Sequence, residues 1–196
     1  MNEAARRNSG GTPEDEADLI RTAQKGDGRA FGEIVRRYQR AVYRVAYGLT
    51  RSPSDADDLA QETFVRAYQA LSRFRVGEPL YPWLARIATN LAFSLHRRRR
   101  RRPETSIEPL VEAGRQWGID ADPADEMAER ERHRHLEQAF ETLKPEHQAV
   151  LVLRAIQDLS YEEIAATLKV PVGTVMSRLS RARAELKARL SAKTGE

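Results

Sequence analysis

Between Phe31 and Leu49 the large apolar residues fall on one helical stripe: Phe31, Ile34, Val35, Tyr38, Val42, Val45, Ala46 and Leu49. No other period fits them, and no stretch of the chain shows the alternation of a multistranded sheet. A fold that is all-α follows. Leu19, Ile20 and Ala23 start a shorter helix before this one. Leu59, Ala60, Phe64, Ala67, Tyr68 and Leu71 form the stripe of the next, and Trp83, Leu84, Ile87, Ala88, Leu91, Ala92 and Leu95 that of a fourth. The breaks agree with the stripes. Ser52-Pro53-Ser54 stops one helix, Ser54 or Asp55 is placed to cap the next, and Asp55, Asp57 and Asp58 lie near the positive end of its dipole. Ser72 to Pro82, with Gly77, Pro79 and Pro82, interrupts the pattern again. Four helices can share one core over residues 16–102. Residues 1–15 are polar and small, too poor in apolar surface to offset ordering entropy, and read as a disordered tail.

Residues 127–196 form a second small helical domain. Leu136, Ala139, Phe140 and Leu143 run up to Lys144-Pro145; Val150, Leu151, Ala155 and Ile156 mark another helix. Ser160-Tyr161-Glu162-Glu163 matches a capping box ahead of Ile164, Ala165 and Leu168, and Val175, Leu179, Ala182, Leu186 and Leu190 stripe a final long helix. Residues 103–126 carry no sustained period and read as a flexible linker. Charge divides at the same place. His96 is followed by six arginines, Arg97 to Arg102, and from Pro103 to Glu131 nine acids face two bases. A basic block abutting an acidic one points to two partners or two surfaces. With no cysteine and four scattered histidines, thiol chemistry, thiolate metal sites and all-histidine sites are excluded. No window approaches a membrane span and the N-terminus lacks a secretory apolar stretch, so the expected location is the cytoplasm, without membrane insertion.

The short helix, tight turn and longer basic helix from Ser160 to Arg189 have the proportions of a helix-turn-helix. Thr174, Ser177, Arg178, Arg181 and Arg183 take its outward positions, where a first turn meets base edges and later arginines meet phosphates. In the first domain Asp58, Gln61, Glu62 and Val65 recur three or four residues apart, an acidic and partly apolar strip fit for a partner helix. The same acids imitate a magnesium box, but Gln61 and Glu62 stand where that spacing wants its next carboxylate, and no second acidic box faces them.

Three segments, taken together, are specific. Asp55-Ala56-Asp57-Asp58-Leu59-Ala60-Gln61-Glu62-Thr63-Phe64-Val65-Arg66-Ala67-Tyr68, Trp83-Leu84-Ala85-Arg86-Ile87-Ala88-Thr89-Asn90, and Leu159 to Ala165 with Gly173 to Arg183 closely resemble the extracytoplasmic-function (ECF) sigma factors of bacteria, in the family's order over roughly residues 18 to 190. The resemblance implies a transcription initiation factor without catalysis or cofactor, whose partners are core RNA polymerase (beta-prime clamp and beta flap), promoter DNA and an anti-sigma protein. It implies polymerase docking by Asp57, Asp58, Gln61, Glu62, Phe64 and Val65. It implies recognition and melting of the minus-10 element, with a flipped base, by Arg73, Phe74, Arg75, Tyr81, Trp83, Arg86 and Asn90, and backbone contact by Arg97 and Arg98. It implies minus-35 reading by the outward residues of the last helix together with Ser160 and Met176, the latter standing where the family commonly has Lys. The acidic linker would thread toward the polymerase cleft and mimic nucleic acid. A stand-alone helix-turn-helix regulator is the alternative reading, and a helical enzyme built on the aspartates a third.

Overall fold

The computed structural model describes residues 13–101 and 123–194, all of whose regular elements are helices. They are α1 (Pro13–Gln24), α2 (Gly28–Thr50), α3 (Pro53–Ala70), a single 3-10 turn (Leu71–Arg73), α4 (Leu80–Arg101), α5 (Pro123–Glu141), α6 (Pro145–Ala155), α7 (Tyr161–Leu168) and α8 (Val172–Thr194). The acidic linker's proposed part in the polymerase cleft lies outside the described residues.

Local chemistry sets most boundaries. Asp27 caps α2, its carboxylate accepting the N–H groups of Arg29 at 2.8 Å and Ala30 at 3.1 Å. Four boundaries differ from the sequence reading. The cap of α3 is Ser52, whose hydroxyl accepts the Asp55 N–H at 3.3 Å, rather than Ser54 or Asp55. Pro53 explains the shift, because its fixed φ and missing N–H suit the first helical position. Pro13 opens α1 in the same way with Glu14, Asp15 and Glu16 on its dipole, so residues 13–15 belong to a helix and not to a tail. Pro82 does not interrupt α4; it sits in the first turn, where no N–H is required. Likewise α5 starts at Pro123, taking residues 123–126 out of the expected linker.

The core of the first lobe gathers Ile20, Ile34, Tyr38, Val42, Val45, Leu84 and Ala88, and that of the second Val150, Leu153, Leu159, Ile164, Val175 and Leu179, all essentially without solvent exposure. The sequence reading expected two small helical domains joined by a flexible linker, the second a helix-turn-helix, and the chain has two such helical lobes. The two lobes also pack on one another, α4 against α7 and α2 against α6, so that their buried residues join in one continuous cluster. The α2 backbone passes so close to α6 at Gly48 that a Cβ there would lie 2.9 Å from Val152 Cγ1 and 3.1 Å from Ile156 Cδ1, an approach only glycine permits. Arg51, in the left-handed conformation that ends α2, pairs with Glu137 of α5. Tyr81 of α4 donates its hydroxyl hydrogen to Gln157 Oε1 at 2.6 Å, in a buried setting.

Candidate functional site

Helices α2 and α3 pack along each other and leave an open groove of about 1200 Å³ between them. Phe31, Val35, Phe64, Val65 and Tyr68 give it an apolar lining, and Arg40, Arg44, Asp57 and Gln61 its polar groups. Phe64 is buried, whereas Val65 is 44% and Tyr68 50% exposed, so the groove's apolar lining reaches solvent at these two side chains. Of the residues expected to meet polymerase, Asp57, Gln61, Phe64 and Val65 line this groove; Asp58 is exposed beside it, and Glu62, half-buried, pairs with Arg66 at 2.7 Å. Asp55, on the same helix, pairs with Arg99 at 2.8 Å. The carboxylates of α3 are thus partly neutralised by arginines, and among the described residues no three acidic or imidazole groups converge as metal ligands.

Tyr68 corrects the sequence reading, which put it on the buried stripe: its ring stands edge-on to Phe31 at 4.9 Å, at the groove. The α2 side of the groove was missed altogether. Tyr43 and Tyr47, four residues apart with rings stacked at 6.1 Å, are its signal, an aromatic pair off the main stripe of α2. Burial first, then the Asp57 carboxylate, raises the Tyr43 hydroxyl above its ordinary pKa.

At its C-terminal end α3 runs into the 3-10 turn and a loop that returns at Leu80. Gly77, at φ +95°, makes the bend in a conformation that side chains rarely adopt. Phe74 and Trp83 close the loop's base, ring to ring at 4.9 Å. From below, the Gln24 amide of α1 donates to the carbonyls of Leu71 at 2.9 Å and Phe74 at 2.8 Å. The expected minus-10 residues divide by exposure. Arg73, Arg75, Asn90, Arg97 and Arg98 are exposed, Trp83 and Arg86 half-buried, Phe74 and Tyr81 buried. Burial pushes the Tyr81 hydroxyl far above its ordinary pKa, and its ring stacks on Tyr38 at 6.1 Å. Along α4, Ser94, Arg97, Arg98 and Arg101 form a shallow basic concavity, with Arg97 donating to Ser94 Oγ at 3.0 Å.

In the second lobe the capping box is complete: the Ser160 hydroxyl accepts the Glu163 N–H at 3.2 Å and the Glu163 carboxylate accepts the Ser160 N–H at 2.8 Å. Ser160 is therefore engaged in holding α7. The turn passes through Lys169 in the left-handed region, and α8 lays Val175, Leu179 and Ala182 against the core. Its other face presents Met176, Ser177, Arg181 and Arg183 to solvent, with Thr174 and Arg178 half-exposed. Glu185 braces this helix, accepting from Arg189 at 2.9 Å and facing His147 Nδ1 of α6 at 3.1 Å. Those two partners, Arg189 first, hold its carboxyl below the usual range.

A braced helix-turn-helix beside a basic helical lobe defines a class of transcription protein. Comparison with known proteins narrows it. Residues 34–102 match the family model for sigma-70 region 2, and residues 133–186 that for sigma-70 region 4. The chain is 36% identical to the RNA polymerase sigma-H factor of Pseudomonas aeruginosa, covering 88% of this chain and 92% of that one. It is 38% identical to the ECF RNA polymerase sigma-E factor of Escherichia coli, over 84% and 88%. Among solved structures it resembles CnrH in complex with the cytosolic domain of CnrY, at TM-score 0.67, 31% identity and coverage of 90% and 97%. It also resembles RpoE of Bartonella quintana in complex with the anti-sigma factor NepR, at TM-score 0.64, 27% identity and coverage of 82% and 96%. The chain belongs to the ECF sigma factors, which serve bacterial RNA polymerase in transcription initiation.

Proposed function

We propose that this chain docks on core RNA polymerase through the α2–α3 groove, directs it to promoters by reading the minus-35 element with α8, and promotes melting at the minus-10 element with the loop between α3 and α4. One observation carries the reading: α3 lines the docking groove along its length and then becomes the start of the basic, aromatic loop. An apolar groove rimmed by polar groups fits a partner helix, and Val65 and Tyr68 are its exposed anchors. The loop offers Arg73 and Arg75 to phosphates, with Trp83 in reach for stacking an unpaired base. Bond chemistry belongs to the polymerase.

The contact between lobes bears on the same proposal. The two promoter elements are about 25 base pairs apart, or roughly 85 Å along B-form DNA. Helix α8, with 23 residues, is only about 35 Å long. Lobes in contact cannot read both elements at once, so they must part on the promoter. Residues 102–122 connect the lobes, and any chain of 21 residues can span at most about 70 Å. Separation also releases Tyr81 for the opened strand. CnrH and RpoE are each seen with a partner, and an anti-sigma partner for this chain belongs to the proposal. Among the described residues no helix is long and apolar enough to cross a membrane. The site of action proposed is the cytoplasm, where the polymerase works.

The test is reconstitution. Core polymerase lacking other specificity subunits, given this chain and a bacterial genomic library, should start transcripts at discrete sites, and Val65→Asp with Tyr68→Ala should abolish core binding. A chain that binds duplex DNA through α8 yet neither binds core polymerase nor confers initiation would be the stand-alone regulator instead.

A further inference from the structure

The loop that is proposed to meet the minus-10 element has little to hold it from within. Between Phe74 and Leu80 it contributes one backbone hydrogen bond, from the Glu78 N–H to the Arg75 carbonyl at 3.2 Å, and Arg75 and Glu78 approach only to 4.0 Å. Glycine at its bend adds freedom. A loop of that kind reads a base only if its entry is fixed by something else.

Gln24 supplies the fixing. It is the last residue of α1, 47 and 50 residues from the two carbonyls that its amide binds. Both hydrogens are used, at 2.9 and 2.8 Å, and they bracket the 3-10 turn: one goes to Leu71, its first residue, the other to Phe74, the residue after its last. The Phe74 N–H in turn bonds the Leu71 carbonyl at 2.9 Å, so three hydrogen bonds hold one turn of chain. The geometry points to Gln24 as a positioning residue for promoter reading: by locking the turn it sets where Arg73, Arg75 and the Phe74–Trp83 pair stand relative to an unstacked base. It touches no DNA itself. The inference rests on the promoter-reading function proposed above.

Two features separate positioning from mere packing. Gln24 is half-exposed and outside the buried core, so removing its amide opens no cavity in the lobe. Its bonds end on backbone, so they fix the path of the chain whatever the side chains are. A carboxamide of this length donates twice from one planar group; a leucine fills the space without donating, and a glutamate has the shape but presents oxygens to two carbonyls.

The experiment compares wild-type chain, Gln24→Leu and Gln24→Glu as holoenzymes with core polymerase. The probes are a bubble template whose non-template minus-10 strand is randomised and a duplex library randomised at minus-35. Both variants should lose about tenfold in the spread of minus-10 enrichment, while minus-35 enrichment and core affinity stay within twofold (a tenfold loss being about 1.4 kcal/mol). Hydrogen exchange should quicken at residues 72–79 and remain unchanged in α8. Wild-type-like minus-10 enrichment in both variants overturns the positioning role. So does an equal loss at both elements and in core affinity, which would make Gln24 a general fold residue. A wild-type holoenzyme that selects no minus-10 sequence overturns the promoter-reading function itself, and this inference with it.

Discussion

The two surfaces proposed to read DNA are prepared in opposite ways. Helix α8 holds its apolar stripe in the second lobe's core and leaves Met176, Ser177, Arg181 and Arg183 open to solvent, needing no rearrangement to enter a major groove. The loop proposed to meet the minus-10 element, together with the first turn of α4, keeps two aromatic residues, Phe74 and Tyr81, out of solvent, and Tyr81 is sealed by the other lobe. The difference suits their targets. Duplex DNA displays its edges continuously, whereas an unpaired base exists only after stacking has been broken at a cost of a few kcal/mol. A surface for the second target gains from being covered until the target is made.

The contrast is open to attack at four points, in falling order of expected effect. Leu179→Ala should remove about 2–5 kcal/mol from the second lobe, read as a lowered unfolding transition in that lobe, and leave α2–α3 docking intact. Gly48→Leu should force the lobes apart, because its side chain collides with Val152 and Ile156. The result would be overpacking of about 1–3 kcal/mol relieved by opening, visible as a larger inter-lobe distance by fluorescence transfer. The same variant carries a pH test. Tyr81 has a raised folded pKa, so burying it stabilises the closed form fully below the ordinary tyrosine value near 10, and that contribution is lost as pH climbs toward the folded value. The wild-type inter-lobe distance should therefore grow above about pH 10, and in Gly48→Leu the pH response should vanish.

Arg178→Ala should weaken cognate minus-35 binding by about 1–3 kcal/mol in a competition assay, with mismatched sequences much less affected. An equal loss on every duplex would reduce Arg178 to a phosphate contact. Smallest of all, Arg97→Ala should lower the salt dependence of DNA binding by about one unit of slope without altering sequence preference. Uneven losses across sequences would move Arg97 from the backbone to the base-reading set.

Legibility in the sequence followed the range of the interactions. The helix-turn-helix was readable because its signals are local: Ser160 and Glu163 satisfy each other three residues apart, and Val175, Leu179 and Ala182 keep a strict period. Helix starts shifted by a few residues at Pro13, Pro53, Pro82 and Pro123, since a breaker in mid-helix is an initiator at its N-terminus. Tyr68 was misplaced because α3 is apolar on more than one side, and only the angle at which α2 lies across it decides which side is covered. Tyr81 shows the same ambiguity at greater range. An aromatic that stacks on a base and one that fills a joint look alike in a sequence, and the residue that seals it, Gln157, is 76 positions away. Gln24 gave no signal at all, because a polar residue at a helix end is ordinary until the carbonyls it meets are known.

The continuity of α3 has a mechanical consequence. Its 18 residues make a stiff rod about 27 Å long, lining the groove from Asp57 to Gln69 and continuing into the loop proposed to read DNA. A rocking of only about 10° about its first turn would sweep the far end by nearly 5 Å, several times the tolerance of a hydrogen bond. Accuracy at the base is thus leveraged from the seat of the rod, and looseness among the tyrosines of the groove would blur sequence discrimination without altering a single atom that faces DNA.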